Sequence, residues 1–413
     1  MTSSLSRRSF LRGSAMLAGA AASAGLPTLA LAKKSPAAPA AVADGDVSKL
    51  PAVEIAANEY WTGPCDAAQK AMVAIVPQGN RYLFKELAPK VYETLVSHWN
   101  LPGRESVIAY HGSTPPLTNV MLAYTGPDKP LITADPTFEA GWEAAASTGA
   151  AVIKIPARKD DSHDVQAMCR KAAEVGAGVL YICNPNNPTG AITMRSDIEY
   201  ALANKPAGCV LVVDEAYIDF SENAKSVIDL AATTPDMLVL RTMSKLYGMA
   251  GTRFGYAIGT PEVLKGLHHF GVNSLAVTSM AAAIASLNDP DVVPSRRALN
   301  KKTREETVAF LNKLGYKTTR SESNCFLVDV KRPAREFQDD MSTWGVMVGR
   351  SWPGFPNQSR ITIGSPEEMA RFRDAFAKVA KGQKGPLPVP PPFKLGMVEG
   401  GMLVKDGTIV GFA

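Results

Sequence analysis

Short apolar runs alternate with amphipathic stretches through the middle of the chain. The runs resemble strands that are buried on both faces, and the stretches between them have the spacing of helices. This alternation predicts an α/β fold, with a large domain built on a mainly parallel central sheet that is flanked by helices. The strand-like runs lie at 131–133, 151–155, 178–183, 209–213 and 237–241.

The pattern changes after residue 294. A long charged helix is predicted at 295–314, strands at 326–330 and 359–363, and a closing helix at 367–380. These elements predict a second, smaller α+β domain.

The remaining segments set the predicted domain boundaries. Residues 53–70 are mixed and turn-rich, and 86–99 has helical spacing. The predicted boundaries are 51–80 for an N-terminal segment that contributes to the small domain and to a dimer contact, 81–290 for the large domain, 291–382 for the small domain and 383–413 for a Pro/Gly-rich tail.

The N-terminus has the pattern of a targeting signal. Arg7 and Arg8 precede a weakly apolar, Ala/Gly-rich run at 13–32, which ends in small residues. The paired arginines predict a cleaved signal peptide at 1–32, export by the twin-arginine machinery and a periplasmic location. A short membrane anchor is the alternative, although the run is only marginally long enough to span a bilayer. Residues 33–50 are predicted to form a linker.

Composition excludes several functions. The chain has 413 residues, of which 46% are hydrophobic and 20% charged, and its net charge of +5 comes partly from the basic N-terminus. A nearly neutral body gives no basis for a nucleic-acid partner. The five cysteines form no C-x-x-C and no Cys/His spacing typical of a metal site, so no metal is predicted. No G-x-G-x-x-G opens the first strand–helix unit, which disfavours a dinucleotide-dependent dehydrogenase.

Two charged residues follow the predicted central strands. Asp214 comes directly after the apolar residues 210–213, and Lys245 comes shortly after the run at 237–241. A carboxylate at the end of a buried strand needs a cationic partner. The ends of parallel strands open onto ligand crevices. Both residues are therefore candidate ligand-binding groups.

Three motifs extend this set in chain order. They are Asn184-Pro185-Asn186-Asn187-Pro188-Thr189-Gly190, Asp214-Glu215-Ala216-Tyr217 and Thr242-Met243-Ser244-Lys245, the last followed by Gly251-Thr252-Arg253. Together they resemble the fold type I (class I/II) aminotransferases, and within that family the histidinol-phosphate aminotransferase branch. The resemblance covers roughly 52–380. It implies an aspartate aminotransferase-like fold, pyridoxal 5'-phosphate (PLP) as cofactor, and a homodimer with shared active sites.

The same resemblance implies the catalytic and cofactor contacts. Lys245 carries the cofactor as an aldimine and then moves a proton, while Asp214 contacts the pyridine nitrogen. Tyr217 and Asn187 donate to the phenolate oxygen. The other implied cofactor contacts are Gly112, Ser113, Thr114, Thr242, Ser244 and Arg253 around the phosphate, Phe138 stacked on the ring, and Tyr82 from the neighbouring subunit.

Two arginines are predicted to bind substrate. Arg360, in Ser359-Arg360-Ile361, matches the arginine that binds a carboxylate or phosphate, and Asn187 lies beside it in the family's site. Arg350 is predicted to be a second anion-binding residue. Gly349 and the segment 352–356 depart from the related branch, so the sequence does not fix the substrate.

Three functions remain open. The first is transamination between an amino acid or amino alcohol phosphate and a 2-oxo acid by two ping-pong half-reactions. The second is another PLP-dependent reaction at Cα, a decarboxylation or racemisation, because the motifs bind cofactor and do not define the reaction. The third, a non-catalytic PLP-binding protein, is disfavoured by the presence of Lys245.

Overall fold

The computed structural model describes residues 50–83, 85–270 and 274–390, together with two strands near the C-terminus. The predicted signal peptide at 1–32 and most of the predicted linker at 33–50 lie outside the described residues. Within the described ranges, no helix is both long enough and apolar enough to cross a membrane.

A seven-stranded sheet forms the centre of the large domain. Its strands are β2 (Val107–Tyr110), β3 (Leu131–Asp135), β4 (Val152–Pro156), β5 (Val179–Cys183), β6 (Val210–Asp214), β7 (Met237–Thr242) and β8 (Gly255–Gly259). The order across the sheet is β2-β8-β7-β6-β5-β3-β4, and only β8 runs antiparallel to its neighbours. The predicted mainly parallel sheet is confirmed.

Successive side chains of the central strands enter two different cores. In β6, Val212 belongs to one core, and Leu211 and Val213 belong to the other. This division follows from the two-residue period of a strand. The first core is covered by α3 (Thr114–Tyr124), α4 (Ala140–Ser147) and α8 (Pro261–Lys265), and the second by α1 (Asp66–Ile75), α2 (Ala88–Trp99), α5 (Val165–Val175), α6 (Arg195–Asn204) and α9 (Val277–Leu287). The short α7 (Ile228–Ala231) follows β6.

A separate core forms the smaller α+β unit. Its aromatic members include Phe326, Phe337, Phe372 and Phe376. The strand β1 (Val53–Ile55) pairs in parallel with β10 (Val346–Val348), so the N-terminal segment is part of this core. The other elements are β9 (Cys325–Asp329) and β11 (Gln358–Thr362), which pair antiparallel, with α10 (Val292–Lys313), α11 (Ala334–Ser342) and α12 (Pro366–Val379).

Three segments differ from the local sequence predictions. The turn-rich segment 53–70 contains β1 and the start of α1, because β1 is stabilised by pairing with a strand almost 300 residues away. The helix predicted from 295 begins at Val292, since Pro294 is tolerated in a first helical turn. The C-terminal tail contains an antiparallel pair, β12 (Met402–Lys405) and β13 (Thr408–Phe412).

Candidate active site

The candidate site lies at the carboxyl ends of β5, β6 and β7. Cys183 pairs in register with Asp214, and Asp214 with Leu240, so these strands end at one edge of the sheet. The following loops carry Asn187, Tyr217 and Lys245 to that edge. Polar side chains at this position of a parallel sheet surround a ligand crevice.

Asp214 is a buried carboxylate without a cationic partner. Only 1% of the residue is exposed. Its carboxylate accepts hydrogen bonds from the Tyr181 hydroxyl at 3.0 Å and from the backbone N–H of Ala216 at 3.1 Å. Burial raises the pKa of Asp214 to about 6, although both hydrogen bonds and the charge of Lys245 act in the opposite direction. Among the described residues, no ammonium or guanidinium group forms an ion pair with it, and a ligand cation would supply that partner.

Lys245 lies next to the aromatic ring of Tyr217. Its Nζ is 5.6 Å from the ring centroid and donates a hydrogen bond of 3.4 Å to the carbonyl of Ala57. Burial, and then the positive charge of Arg360, lower the pKa of Lys245 to about 8. A lowered pKa increases the fraction of neutral amine, which is the nucleophilic form.

Two side chains retain hydrogen-bond donors for a ligand. The Tyr217 hydroxyl accepts from the side-chain amide of Asn58 at 3.0 Å, which leaves its own proton available to another acceptor. The Asn187 side-chain oxygen accepts from Arg360 at 2.9 Å, and this contact leaves the NH2 group of Asn187 as a donor for a ligand. Burial raises the pKa of Tyr217, so the hydroxyl remains protonated.

Asn58 is a site residue that sequence reasoning missed. It is 1% exposed and has a φ of 56°, in the left-handed region. Besides Tyr217, its amide contacts the Cys325 sulfur at 3.2 Å, and its side-chain oxygen accepts from the Thr362 hydroxyl at 2.9 Å. Asn58 therefore connects the small core to Tyr217. Its only sequence signal was an asparagine in a turn-rich segment, where asparagine tolerates positive φ.

Tyr181 was also missed, because it lies in an apolar run. Tyr181 and Cys183 are two residues apart and therefore share a face of β5. Since Cys183 pairs with Asp214, strand periodicity combined with register places the Tyr181 hydroxyl on the Asp214 side. The register was not available from the sequence.

A group of hydroxyls and one guanidinium forms a candidate phosphate site. Arg253 donates to the Ser244 hydroxyl and to the carbonyl of His111, both at 3.0 Å, and Thr242 donates to Ser244 at 3.0 Å. A Cβ on Gly112 would lie 2.5 Å from the Arg253 guanidinium, so glycine allows the close approach. No carboxylate pairs with Arg253 in the described part of the chain. The arrangement suits a dianion.

The helix start beside this group provides few backbone donors. Thr114 begins α3, but Pro115 and Pro116 follow and have no N–H. The N–H of Gly112 donates to the carbonyl of Tyr110. Ser113 and Thr114 thus remain as backbone donors, and the hydroxyls and Arg253 become more important.

The structure distinguishes the two predicted aromatic contacts. Phe138 packs against the core that includes Tyr181 and Cys183, on the same face as Asp214. Tyr82 is 70% exposed. Its predicted role concerns a second copy of the chain and stays a prediction.

The two predicted substrate arginines lie side by side. The Arg360 N–H donates to the Arg350 carbonyl, and both guanidinium groups contact the ring of Trp352, with 5.5 and 4.3 Å to the centroid. Glycine is required at position 349, because a Cβ there would lie 2.7 Å from the backbone carbonyl oxygen of Arg360.

The charges of Arg360 and Arg350 differ in their partners. Arg360 donates to the Ala56 carbonyl at 2.6 Å, and its Nε has no hydrogen-bond partner among the described residues. Arg350 forms an ion pair with Glu139, which was not predicted.

Comparison with known proteins agrees with this geometry. Residues 51–376 match the family of class I and II aminotransferases. A histidinol-phosphate aminotransferase of Symbiobacterium thermophilum is 36% identical, over 80% of this chain and 91% of its own. An aromatic amino acid aminotransferase of Cutibacterium acnes is 31% identical, over 80% and 93%. A solved structure from Erwinia carotovora atroseptica, provisionally named a histidinol-phosphate aminotransferase, is 28% identical with a TM-score of 0.77, over 80% and 96%.

The fold and the site therefore define a PLP-dependent enzyme of the aspartate aminotransferase-like fold, as predicted. The chain belongs to the class I and II aminotransferases and is a transaminase. The residues present fit the cofactor on three observations. Among the described residues, Asp214 has no cationic partner and Arg253, beside Gly112, has no anionic one, and the pKa of Lys245 is lowered.

Proposed function

We propose that this transaminase moves an amino group between an amino acid and a 2-oxo acid, with Lys245 as the catalytic amine and Arg360 as the carboxylate-binding residue. One observation carries the proposal. Arg360, which has no acidic hydrogen-bond partner among the described residues, donates to Asn187 at 2.9 Å. Burial lowers the pKa of Lys245, and the positive charge of Arg360 lowers it further. A carboxylate bound by Arg360 would thus lie beside the amine that moves the proton.

Each side chain has a separate task in this mechanism. PLP, when bound, supplies the electron sink for the reaction at Cα. Asp214 would stabilise a positive charge on the pyridine nitrogen, and Tyr217 and Asn187 would donate to the phenolate oxygen. Lys245 Nζ accepts and returns the proton, for which a pKa near 8 is well matched to neutral pH.

The phosphate end is held by a second set of groups. Thr242, Ser244 and Arg253 would bind it, together with the backbone donors of Ser113 and Thr114. Because Arg253 has a φ of 63°, its backbone is strained and its position is set by the surrounding loop.

The experiment fixes the position of the cofactor chemically. The holoenzyme is reduced with borohydride, digested and analysed by mass spectrometry. We expect the added mass on Lys245 alone, and conversion of the bound cofactor to its amino form when an amino acid is added. Modification of a different lysine would refute the assignment of Lys245. A correctly modified enzyme that releases CO2 or racemises its substrate, without that conversion, would favour the other Cα reactions.

We also propose that the enzyme is a homodimer and that Tyr82 contributes to the partner's phosphate site. The support is the exposure of three large apolar side chains, since Val73, Val76 and Tyr82 are 73%, 60% and 70% exposed. Lys245→Ala and Tyr82→Ala variants are denatured together and refolded with PLP. If sites are shared, hybrid dimers regain one intact site and the mixture recovers about a quarter of wild-type activity. A mixture no more active than the separate variants would contradict shared sites.

Export remains a proposal based on sequence. The adjacent Arg7 and Arg8 support transport of the folded enzyme by the twin-arginine route. Replacing both with lysine should leave the enzyme in the cytoplasm, whereas Arg12→Lys serves as a control outside the pair. Undiminished periplasmic activity in the double variant would exclude this route.

A further inference from the structure

The two arginines at the substrate end differ in what balances their charge. Arg350 pairs with Glu139, the residue that precedes α4. Arg360 hydrogen-bonds only to neutral groups among the described residues, the Asn187 side chain and the Ala56 carbonyl. Arg360 is therefore available for a carboxylate, whereas the charge of Arg350 is already neutralised.

Glu139 belongs to the same electrostatic environment as Arg360. Burial lowers the pKa of Arg360, Arg350 adds to that effect, and Glu139 opposes it. The backbones of the two arginines are hydrogen-bonded, and Trp352 lies against both guanidinium groups. The carboxylate of Glu139 therefore lies close enough to Arg360 to act electrostatically on a group that Arg360 binds.

Fold stability does not explain the Glu139–Arg350 pair. The two side chains are 28% and 40% exposed, and ion pairs of this kind contribute little to folding. A fixed carboxylate at the mouth of a site does affect ligands, because discrimination often depends on a repulsive group as well as on attractive ones.

The remaining groups at this end are uncharged. Trp352 is 3% exposed, and its indole N–H is buried with no hydrogen-bond partner in the part of the chain that the structure describes. The described side chains beyond Arg360 thus offer an aromatic ring, a neutral N–H and a balanced ion pair. They provide no net positive charge for a second anionic group, whereas a phosphate or carboxylate is usually bound by an unpaired arginine.

We propose that the amino donor has an uncharged side chain and that Glu139 selects against donors with a second anionic group. This inference rests on the proposed transamination and names the substrate class of that site. Glu139 acts here as a specificity residue: it neutralises Arg350 and repels a distal phosphate or carboxylate.

The first test measures single-turnover rates of the holoenzyme with L-phenylalanine, L-leucine, L-glutamate and O-phospho-L-serine. The wild type should react at least about tenfold faster with the two uncharged donors, given the cost of placing like charges together. Glu139→Gln should raise the ratio of anionic to uncharged rates by at least about tenfold. Glu143→Gln, an equal charge change in the first turn of the helix that Glu139 precedes, should leave the ratio unchanged.

A second test does not depend on catalysis. Calorimetry compares binding of 3-phenylpropionate and glutarate, which have no amino group to transfer. Glutarate affinity should rise in Glu139→Gln while that of 3-phenylpropionate stays constant. A wild type that prefers glutamate or phosphoserine, or an unchanged ratio in Glu139→Gln, would overturn the inference. Failure of transamination itself looks different, because then no donor converts the cofactor bound at Lys245.

Discussion

Two pairs of neighbouring residues at the ends of β6 and β7 point to opposite faces of the same sheet. On one face lie Asp214 and Thr242, and on the other lie Glu215 and Arg241. Glu215 is as buried as Asp214, each 1% exposed, but it accepts hydrogen bonds from Arg241 at 3.1 Å and from the Val227 N–H at 2.8 Å. Among the described residues, Asp214 accepts hydrogen bonds only from neutral donors.

The comparison separates structural charges from functional ones. Arg241 also pairs with Asp219 at 2.6 Å, and its guanidinium lies 4.6 Å from the centroid of the Trp99 ring. Its charge is therefore compensated by groups of the protein itself. Burial raises the pKa of Glu215 too, but the charge of Arg241 opposes that effect. A buried charge left without a partner is costly, and it is tolerated where a ligand supplies the partner.

The largest expected effect on stability comes from removing a cation on the structural face. Arg241→Met leaves Glu215 and Asp219 uncompensated and should lower the free energy of unfolding by about 3–5 kcal/mol. Arg253→Met removes a cation on the other face. It should change the stability of the cofactor-free protein by less than about 1 kcal/mol while weakening PLP binding. Urea unfolding of both variants tests this prediction. Similar losses of unfolding free energy in the two variants would contradict the distinction between structural and functional charges.

The pH dependence of Asp214 is the next largest effect. Its folded-state pKa is raised from 3.8 to about 6. The stability associated with the protonated form is therefore fully present below pH 4 and is lost as the pH rises through 6. In the cofactor-free protein this loss amounts to about 3 kcal/mol.

Asp214→Asn removes this titration. Relative to the variant, the cofactor-free wild type should become less stable between pH 4 and pH 7, as measured by thermal or urea unfolding. With PLP bound, the order should reverse, because the cofactor then provides a cation for Asp214. Parallel stability curves for the two proteins without cofactor would mean that Asp214 is compensated after all.

A smaller effect, on the rate of the half-reaction, is expected from replacing Arg360, the arginine proposed to bind the substrate carboxylate. Arg360→Lys keeps the positive charge but loses the paired hydrogen bonds, each worth about 1.5–3 kcal/mol. The half-reaction with a carboxylate-bearing donor should therefore slow by about tenfold to a hundredfold. PLP binding, measured by absorbance, should be unaffected. Equal rates in the variant and the wild type would show that Arg360 does not bind the substrate carboxylate.

The smallest effect concerns Asn58. Asn58→Gly tolerates the same φ but removes the amide that donates to the Tyr217 hydroxyl, so this hydroxyl should be less well oriented toward the ligand. PLP affinity should fall about fivefold, the effect of one neutral hydrogen bond. The pKa of the bound chromophore should shift as well. In a Tyr217→Phe background neither change should occur, and persistence there would point to a general structural effect.

Local sequence was sufficient to predict the residues that directly follow central strands. Asp214 and Lys245 come after apolar runs, and the motifs around Asn187 and Arg253 are short segments with proline or glycine residues typical of turns. Those features depend on chain neighbours, and the carboxyl ends of parallel strands necessarily meet at one edge of the sheet. The sheet and the family could therefore be predicted from the sequence.

Other features depended on contacts between distant segments. Asn58 meets Tyr217 across 159 residues, and Glu139 meets Arg350 across 211. No periodicity encodes such pairs, because they arise only when the small core, completed by β1, lies against the end of the large sheet. The sequence alone thus predicted where a cofactor and a catalytic lysine belong. Only the tertiary structure decided which charges remain free, since compensation depends on what lies within a few ångströms and not on what is nearby in the chain.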